Sequence, residues 1–242
     1  MKRIVLAVLA LTLLGCSTTP KMLPIPVFDI AKGSRIGVIN FVGPRINHYH
    51  VGTTVFNNFE KEYEVNWDIP GFINDEIRRQ MSEIGYETVI IESDEHLKSN
   101  LKDIVVKEGD RYDLSSSVTP IFKKLANDYD IDMLYVLKPL KASLFVPNIT
   151  IEAENYGVAT RSFLGIGSTQ AFAIIGATSI CLDPISLTRG GGGRKNKTVS
   201  GLSMFGNFAD LNENELKAIE NALKDIIREM VSELLTNSNL RA

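Results

Sequence analysis

The sequence predicts an α/β fold: a three-layer-like mixed sheet with packed helices, then antiparallel hairpins and a long C-terminal helix. Three observations carry that prediction. Short β-branched runs alternate with amphipathic helical periods over residues 35–137, in the order strand, helix, strand, helix, strand. Over residues 149–205 the helical period vanishes, and glycine and β-formers dominate. From Asn212 a single apolar seam at helical spacing runs almost to the last residue.

The elements follow in order. Arg35-Ile36-Gly37-Val38-Ile39-Asn40-Phe41-Val42 reads as the first strand, rich in β-branched residues. The polar stretch from there through Trp67 is expected to be irregular. Asp68-Ile69-Pro70-Gly71 opens a helix, because Asp68 can accept from the first free N–H groups and Pro70 sits where no N–H is needed. Ile73, Ile77, Met81 and Ile84 then recur on one face, opposite Asp75, Arg78, Arg79 and Glu83, and Gly85 ends the helix. Residues 86–91 read as a second strand, and the charged residues 92–114 as a loop or small insertion. A second helix starts near Ser117 with Pro120 in its first turn and Val118, Phe122, Leu125 and Tyr129 as its stripe. Residues 132–137 form a third strand, apolar enough to be central. Long antiparallel strands are expected near 155–165, 170–187 and 197–204. Thr188-Arg189-Gly190-Gly191-Gly192-Gly193-Arg194 is expected as the tip between the last two. Asn212 with Glu215 three residues on is a capping box. Behind it Leu216, Ile219, Leu223, Ile226, Met230 and Leu234 line a helix of about 25 residues, to dock on the sheet or on a partner.

With 44% apolar and 23% charged residues, the chain has the composition of a globular protein. A net charge of -3 gives no reason to expect a nucleic-acid partner. The first residues are different in kind. Met1-Lys2-Arg3 is basic, and residues 4–15 are twelve uncharged, mostly apolar positions. That run is short of the roughly 20 residues a spanning helix needs. It has the layout of an export signal.

The run ends in Leu13-Leu14-Gly15-Cys16, which resembles the lipobox of bacterial lipoproteins. The resemblance implies cleavage before Cys16 and acylation of its thiol, so that acyl chains tie the protein to a membrane. Ser17, where an aspartate would favour the inner membrane, implies the outer membrane. The alternative is an ordinary secretory signal. The expected organisation is a signal peptide over 1–15, a lipidated Cys16 and Pro-rich tether over 16–34, and one periplasmic α/β domain over 35–242. With Cys16 acylated, Cys181 has no disulfide partner. It sits in the apolar run Ser179-Ile180-Cys181-Leu182, where a small buried residue is the plain reading and a redox role the other.

The ordered set Ile36-Gly37-Val38-Ile39-Asn40-Phe41, Met81-Ser82-Glu83-Ile84-Gly85, Tyr86-Glu87-Thr88-Val89-Ile90-Ile91 and Leu125-Ala126-Asn127-Asp128-Tyr129-Asp130-Ile131-Asp132 resembles a known arrangement. Cys181-Leu182-Asp183-Pro184 and Val199-Ser200-Gly201 complete it. It is similar to the superfamily that joins the amino-terminal domain of TolB and the curli-export channel lipoprotein. That resemblance implies a non-enzymatic part of an envelope assembly or secretion pore, with envelope proteins or further copies of the chain as partners and no cofactor.

Three groups of side chains invite chemistry. His48 and His50, at i and i+2 on an extended segment, share a face and could hold a metal, with His96, Glu60, Glu62 or Glu64 as further ligands. The other reading is a polar surface loop. Arg189, Arg194, Lys195 and Lys197 around the four glycines could touch an anionic surface, or form a solvated hairpin end. Gly165-Ile166-Gly167-Ser168-Thr169 precedes strand-like residues and lacks the glycine of a nucleophile elbow, so neither a phosphate loop nor a catalytic serine fits. No catalytic set emerges. Three functions follow: an acyl-anchored, non-enzymatic assembly component, a pore-forming secretion subunit, or a metal-dependent protein built on His48 and His50.

Overall fold

The computed structural model describes residues 30–101, 103–108, 111–163, 166–199 and 211–240. The signal segment, Cys16 and residues 17–29 of the tether lie outside the described residues, as do positions 200–204 of the last expected strand.

Eleven strands are described: β1 (Arg35–Asn40), β2 (Ile46–Val51), β3 (Phe59–Tyr63), β4 (Glu87–Ile91), β5 (Val105–Glu108), β6 (Arg111–Leu114), β7 (Met133–Pro139), β8 (Lys141–Val146), β9 (Ile149–Phe163), β10 (Ile166–Leu182) and β11 (Ile185–Thr198). The helices are α1 (Ile69–Glu83), α2 (Glu95–Asn100), α3 (Thr119–Tyr129) and α4 (Glu213–Asn237).

β10 is the spine of a curled mixed sheet. One of its edges pairs with β11 along most of its length. The other edge is shared end to end: residues 175–181 pair with β7, and residues 166–174 pair with β9. β7 continues through parallel β1 to parallel β4. β9 continues through parallel β2 to antiparallel β3. The sheet is therefore two blocks stacked along β10. Where they meet, the chain leaves the sheet as a hairpin, β8 against the first half of β9. It rejoins at Asn155, whose φ of 60° turns the strand back and whose N–H donates to Leu140 O at 3.1 Å.

Helices and hairpins cover both faces, giving the expected three layers. On one face α1 and α4 bury Ile73, Ile77, Met81, Ile219, Leu223, Ile226, Met230 and Leu234 against Val38, Tyr135, Val158 and Ala173. On the other, α3 packs Phe122 and Leu125 on Ile39, Leu134 and Val136. The β8–β9 hairpin packs Leu144, Val146 and Ala153 on Tyr49, Ala159 and Phe172. Each fully buried side chain of this size contributes about 1.5–3 kcal/mol.

The helices begin and end where their sequences say. Asp68 Oδ1 accepts from Gly71 N–H at 2.8 Å, and Gly85 takes φ 93° after α1. Asn212 and Glu215 form both halves of the capping box. The seam of α4 is spent on its own sheet and on α1, so it is not left over for a partner.

Four expectations are corrected. The stretch before Trp67 is not irregular: it holds β2 and β3, because Asn47, His48, Tyr49 and His50 are all buried between β3 and β9. Residues 92–114 contain α2 and the β5–β6 hairpin, which close the core under α3 through Leu97, Leu101, Ile104 and Leu114. β8 went unrecognised, and the three later strands are displaced from their expected positions. The basic glycine run is the middle of β11, while Asp183-Pro184 makes the turn. Packing bears on Gly192, where a Cβ would meet Leu140 Cδ1 at 2.5 Å; one on Gly193 would sit in ordinary contact, 3.4 Å from Met230 Cγ of α4.

Candidate functional sites

β2 carries its two histidines on the face that α1 and α4 cover further along the sheet. Strand period places His48 opposite Lys61 and His50 opposite Phe59 on β3, and His50 level with Thr160 on β9. The Thr160 hydroxyl lies between the two rings, 2.7 Å from His48 Nε2 and 2.7 Å from His50 Nδ1. His48 Nδ1 meets the Tyr63 hydroxyl at 3.2 Å, and His50 Nε2 meets Ser162 Oγ at 3.3 Å. Both rings also contact Phe59, whose ring stacks on His50 at 4.9 Å.

The proton count of this chain is constrained. Thr160 has one proton to give and two lone pairs to accept with, so at most one imidazole accepts from it and at least one donates to it. One consistent arrangement runs from Tyr63 O–H to His48 Nδ1, from His48 Nε2–H to Thr160, from Thr160 O–H to His50 Nδ1, and from His50 Nε2–H to Ser162. Reversing every bond gives another. Both require neutral imidazoles. Burial, the His50 ring and the Lys61 charge push His48 down to about 3, and burial lowers His50.

The same geometry bears on the metal reading. All four ring nitrogens already have hydroxyl partners. Glu60 and Glu62 pair across from Tyr49 and Asn47, and so project from the opposite face. Glu62 and Glu64 reach Arg45 at 3.2 and 3.3 Å. His96 is exposed on α2, in the opposite layer. Among the described residues no group of three His, Cys, Asp or Glu has the geometry to hold a metal. The sequence brings the two imidazoles together; it gives no sign of Thr160, which is 110 residues away.

A second site opens at the joint between the two blocks. A cleft of about 960 Å³ lies between α2, the β1–β2 connection and the base of the β8–β9 hairpin. Lys138 near the end of β7, Lys141 at the start of β8, Asp103 and Glu154 line it, with Asn155 at the hairpin base. The Asn155 Oδ1 atom is buried with no hydrogen-bond partner. No sequence motif marks this cleft, because it exists only where β7 and β9 part.

The basic cluster is partly occupied. Lys195 Nζ lies 2.8 Å from Glu233 of α4, and Lys197 Nζ lies 3.0 Å from Asp225. Arg194 donates to the Ser143 carbonyl of β8, and Arg189 stands in β11 opposite Ser179. Cys181 is buried and free. Residues 169–182 of β10 are buried on both faces, so this central strand is spent within the domain. No described helix is long and apolar enough to cross a membrane.

No family model matches the chain and no curated protein does. Among solved structures the chain is similar to protein XCC0632 from Xanthomonas campestris, at 10% identity over 90% of this chain and 91% of that one, with a TM-score of 0.46. It is similar to the PelC dodecamer from Paraburkholderia phytofirmans at 10% identity, over 91% and 96% of the two chains, TM-score 0.39. Lipoprotein GNA1162 from Neisseria meningitidis follows at 10% identity, over 81% and 99%, TM-score 0.31. At these scores the likeness bears on neither mechanism nor partner.

Proposed function

We propose that this chain is an acyl-anchored, non-enzymatic component of a bacterial envelope, held at the outer membrane through Cys16 and working by binding. The observation that carries the reading is Leu13-Leu14-Gly15-Cys16 at the end of a short uncharged run behind Lys2 and Arg3. One acyl chain holds only reversibly, whereas two or three make release negligible. The folded part supports binding: His48 and His50 are engaged with hydroxyls, and the open cavity is a charged cleft suited to a polar partner segment.

The test is fractionation of cells producing the chain and its Cys16→Ala variant, with radiolabelled palmitate in the medium. The native chain is expected to carry label and to stay with membranes washed in high salt. The variant is expected to carry none. An unlabelled native chain in the soluble fraction would refute the reading.

A further inference from the structure

The connection between β2 and β3 carries two of the most exposed apolar side chains of the described residues. Phe56 is 95% and Val55 76% exposed, on a short 3-10 turn. Beside them β9 ends in Phe163, 52% exposed. The two segments are tied together: Val51 is level with Arg161 in the parallel β2–β9 pair, and Thr53 Oγ1 donates to Ser162 O at 3.4 Å. Thr54 Oγ1 and Asn57 Oδ1, 2.5 Å apart, brace the turn that presents Val55 and Phe56. Soluble surfaces scatter single apolar residues, but a cluster on the tips of adjacent connections is the pattern of a contact site.

Charge says what it contacts. Residues 51–59 carry no charged side chain, and neither do residues 162–172, in a chain that is 23% charged. Arg161 flanks the tip: its guanidinium lies 5.7 Å from the Phe163 ring and donates to the Pro147 carbonyl. A protein partner would be met by a polar rim; a tip of aromatic and aliphatic groups on two uncharged segments suits a bilayer interface.

We infer that the Val55–Phe56–Phe163 tip inserts into the surface of a phospholipid bilayer as a second, non-covalent contact. The inference rests on the acyl-anchored reading, because the anchor sets which bilayer is in reach. The tip lies at the opposite end of β10 from Ile30, where the described chain begins: β9 residue 163 pairs with 166, while the start of β7 pairs with 181. At about 3.3 Å per residue the separation is about 50 Å. From Cys16 to Ile30 the chain takes fourteen residue steps, which span at most about 50 Å. The fully extended tether therefore just lets acyl chains and tip meet one bilayer, and any tilt of the domain's long axis eases the reach.

The test uses the full acylated chain in phosphatidylethanolamine–phosphatidylglycerol vesicles. A Val55→Cys variant is labelled with an environment-sensitive fluorophore; the thiol of Cys16 is acylated in the reading above and Cys181 is buried. Emission typical of a membrane interface, quenched by nitroxide-bearing lipids, is expected at position 55. Water-like emission is expected for a label at Lys124→Cys on α3. Adding Phe56→Ser and Phe163→Ser should cut the nitroxide quenching at position 55 to the Lys124→Cys level. Water-like emission at position 55 overturns the inference, as does a shifted emission that lipid nitroxides do not quench, which places protein against the tip. Vesicle flotation and the mass of the Cys16 peptide are read separately, so loss of the anchor is distinguished from an idle tip.

Discussion

Thr160 shows what single residues decide in this protein. Its hydroxyl is shared by two imidazoles at 2.7 Å each, so Thr160→Val keeps the shape and strands two buried ring nitrogens. A loss of about 1–3 kcal/mol is expected, read from urea unfolding at neutral pH. The same cluster sets a pH response. His48 titrates near 3 in the folded chain against about 6.5 unfolded. Between those values the unfolded state holds the extra proton, so stability is full above about 6.5 and falls as pH drops toward 3. The slope attributable to His48 approaches about 1.4 kcal/mol per pH unit. His48→Gln should flatten the stability profile over that window relative to the native chain; an unchanged slope would mean the imidazole is not held neutral. The two-residue period made the shared face of His48 and His50 legible. Their partners were not, because a parallel β2–β9 contact between residues about 110 apart leaves no mark in either strand.

At the level of elements, close backbone approach matters more than propensity. A Cβ on Gly157 would lie 1.9 Å from the Asn47 carbonyl oxygen, inside the β2–β9 pair. Gly157→Ala must part the two strands, and a loss of more than about 3 kcal/mol is expected in the same unfolding assay. Asn212→Ala removes the acceptor that holds the Asn214 and Glu215 amides and should cost about 1 kcal/mol. The caps and periods of α1, α3 and α4 were readable because they are local. The glycines at 190–193 were misread as a turn because what holds them in a strand is not local: they pair with residues 175–178 of β10, and Gly192 makes room for Leu140. β2 was hidden by composition, since a strand built of Asn, His and Tyr looks polar until its neighbours satisfy it. The joint cleft was equally invisible, being made by β7 and β9 sharing one edge of β10.

At the scale of the molecule, the described residues form three layers whose long last helix and central strand are spent internally. That bears on function. With residues 169–182 buried on both faces, forming membrane-crossing strands from this region would require dismantling the core. The α/β class, the strand–helix–strand–helix–strand order and the closing helix all followed from sequence periodicity; the strand pairing and the two-block arrangement did not, because they depend on one strand pairing with two others in series. What places the molecule in the cell, on this account, is the thiol at position 16. The most direct measurement is the intact mass of the protein extracted from membranes, with fragmentation of its first peptide. The expected result is a chain beginning at Cys16 with two or three fatty acyl groups on that residue. A chain beginning elsewhere, or an unmodified Cys16, would contradict the account.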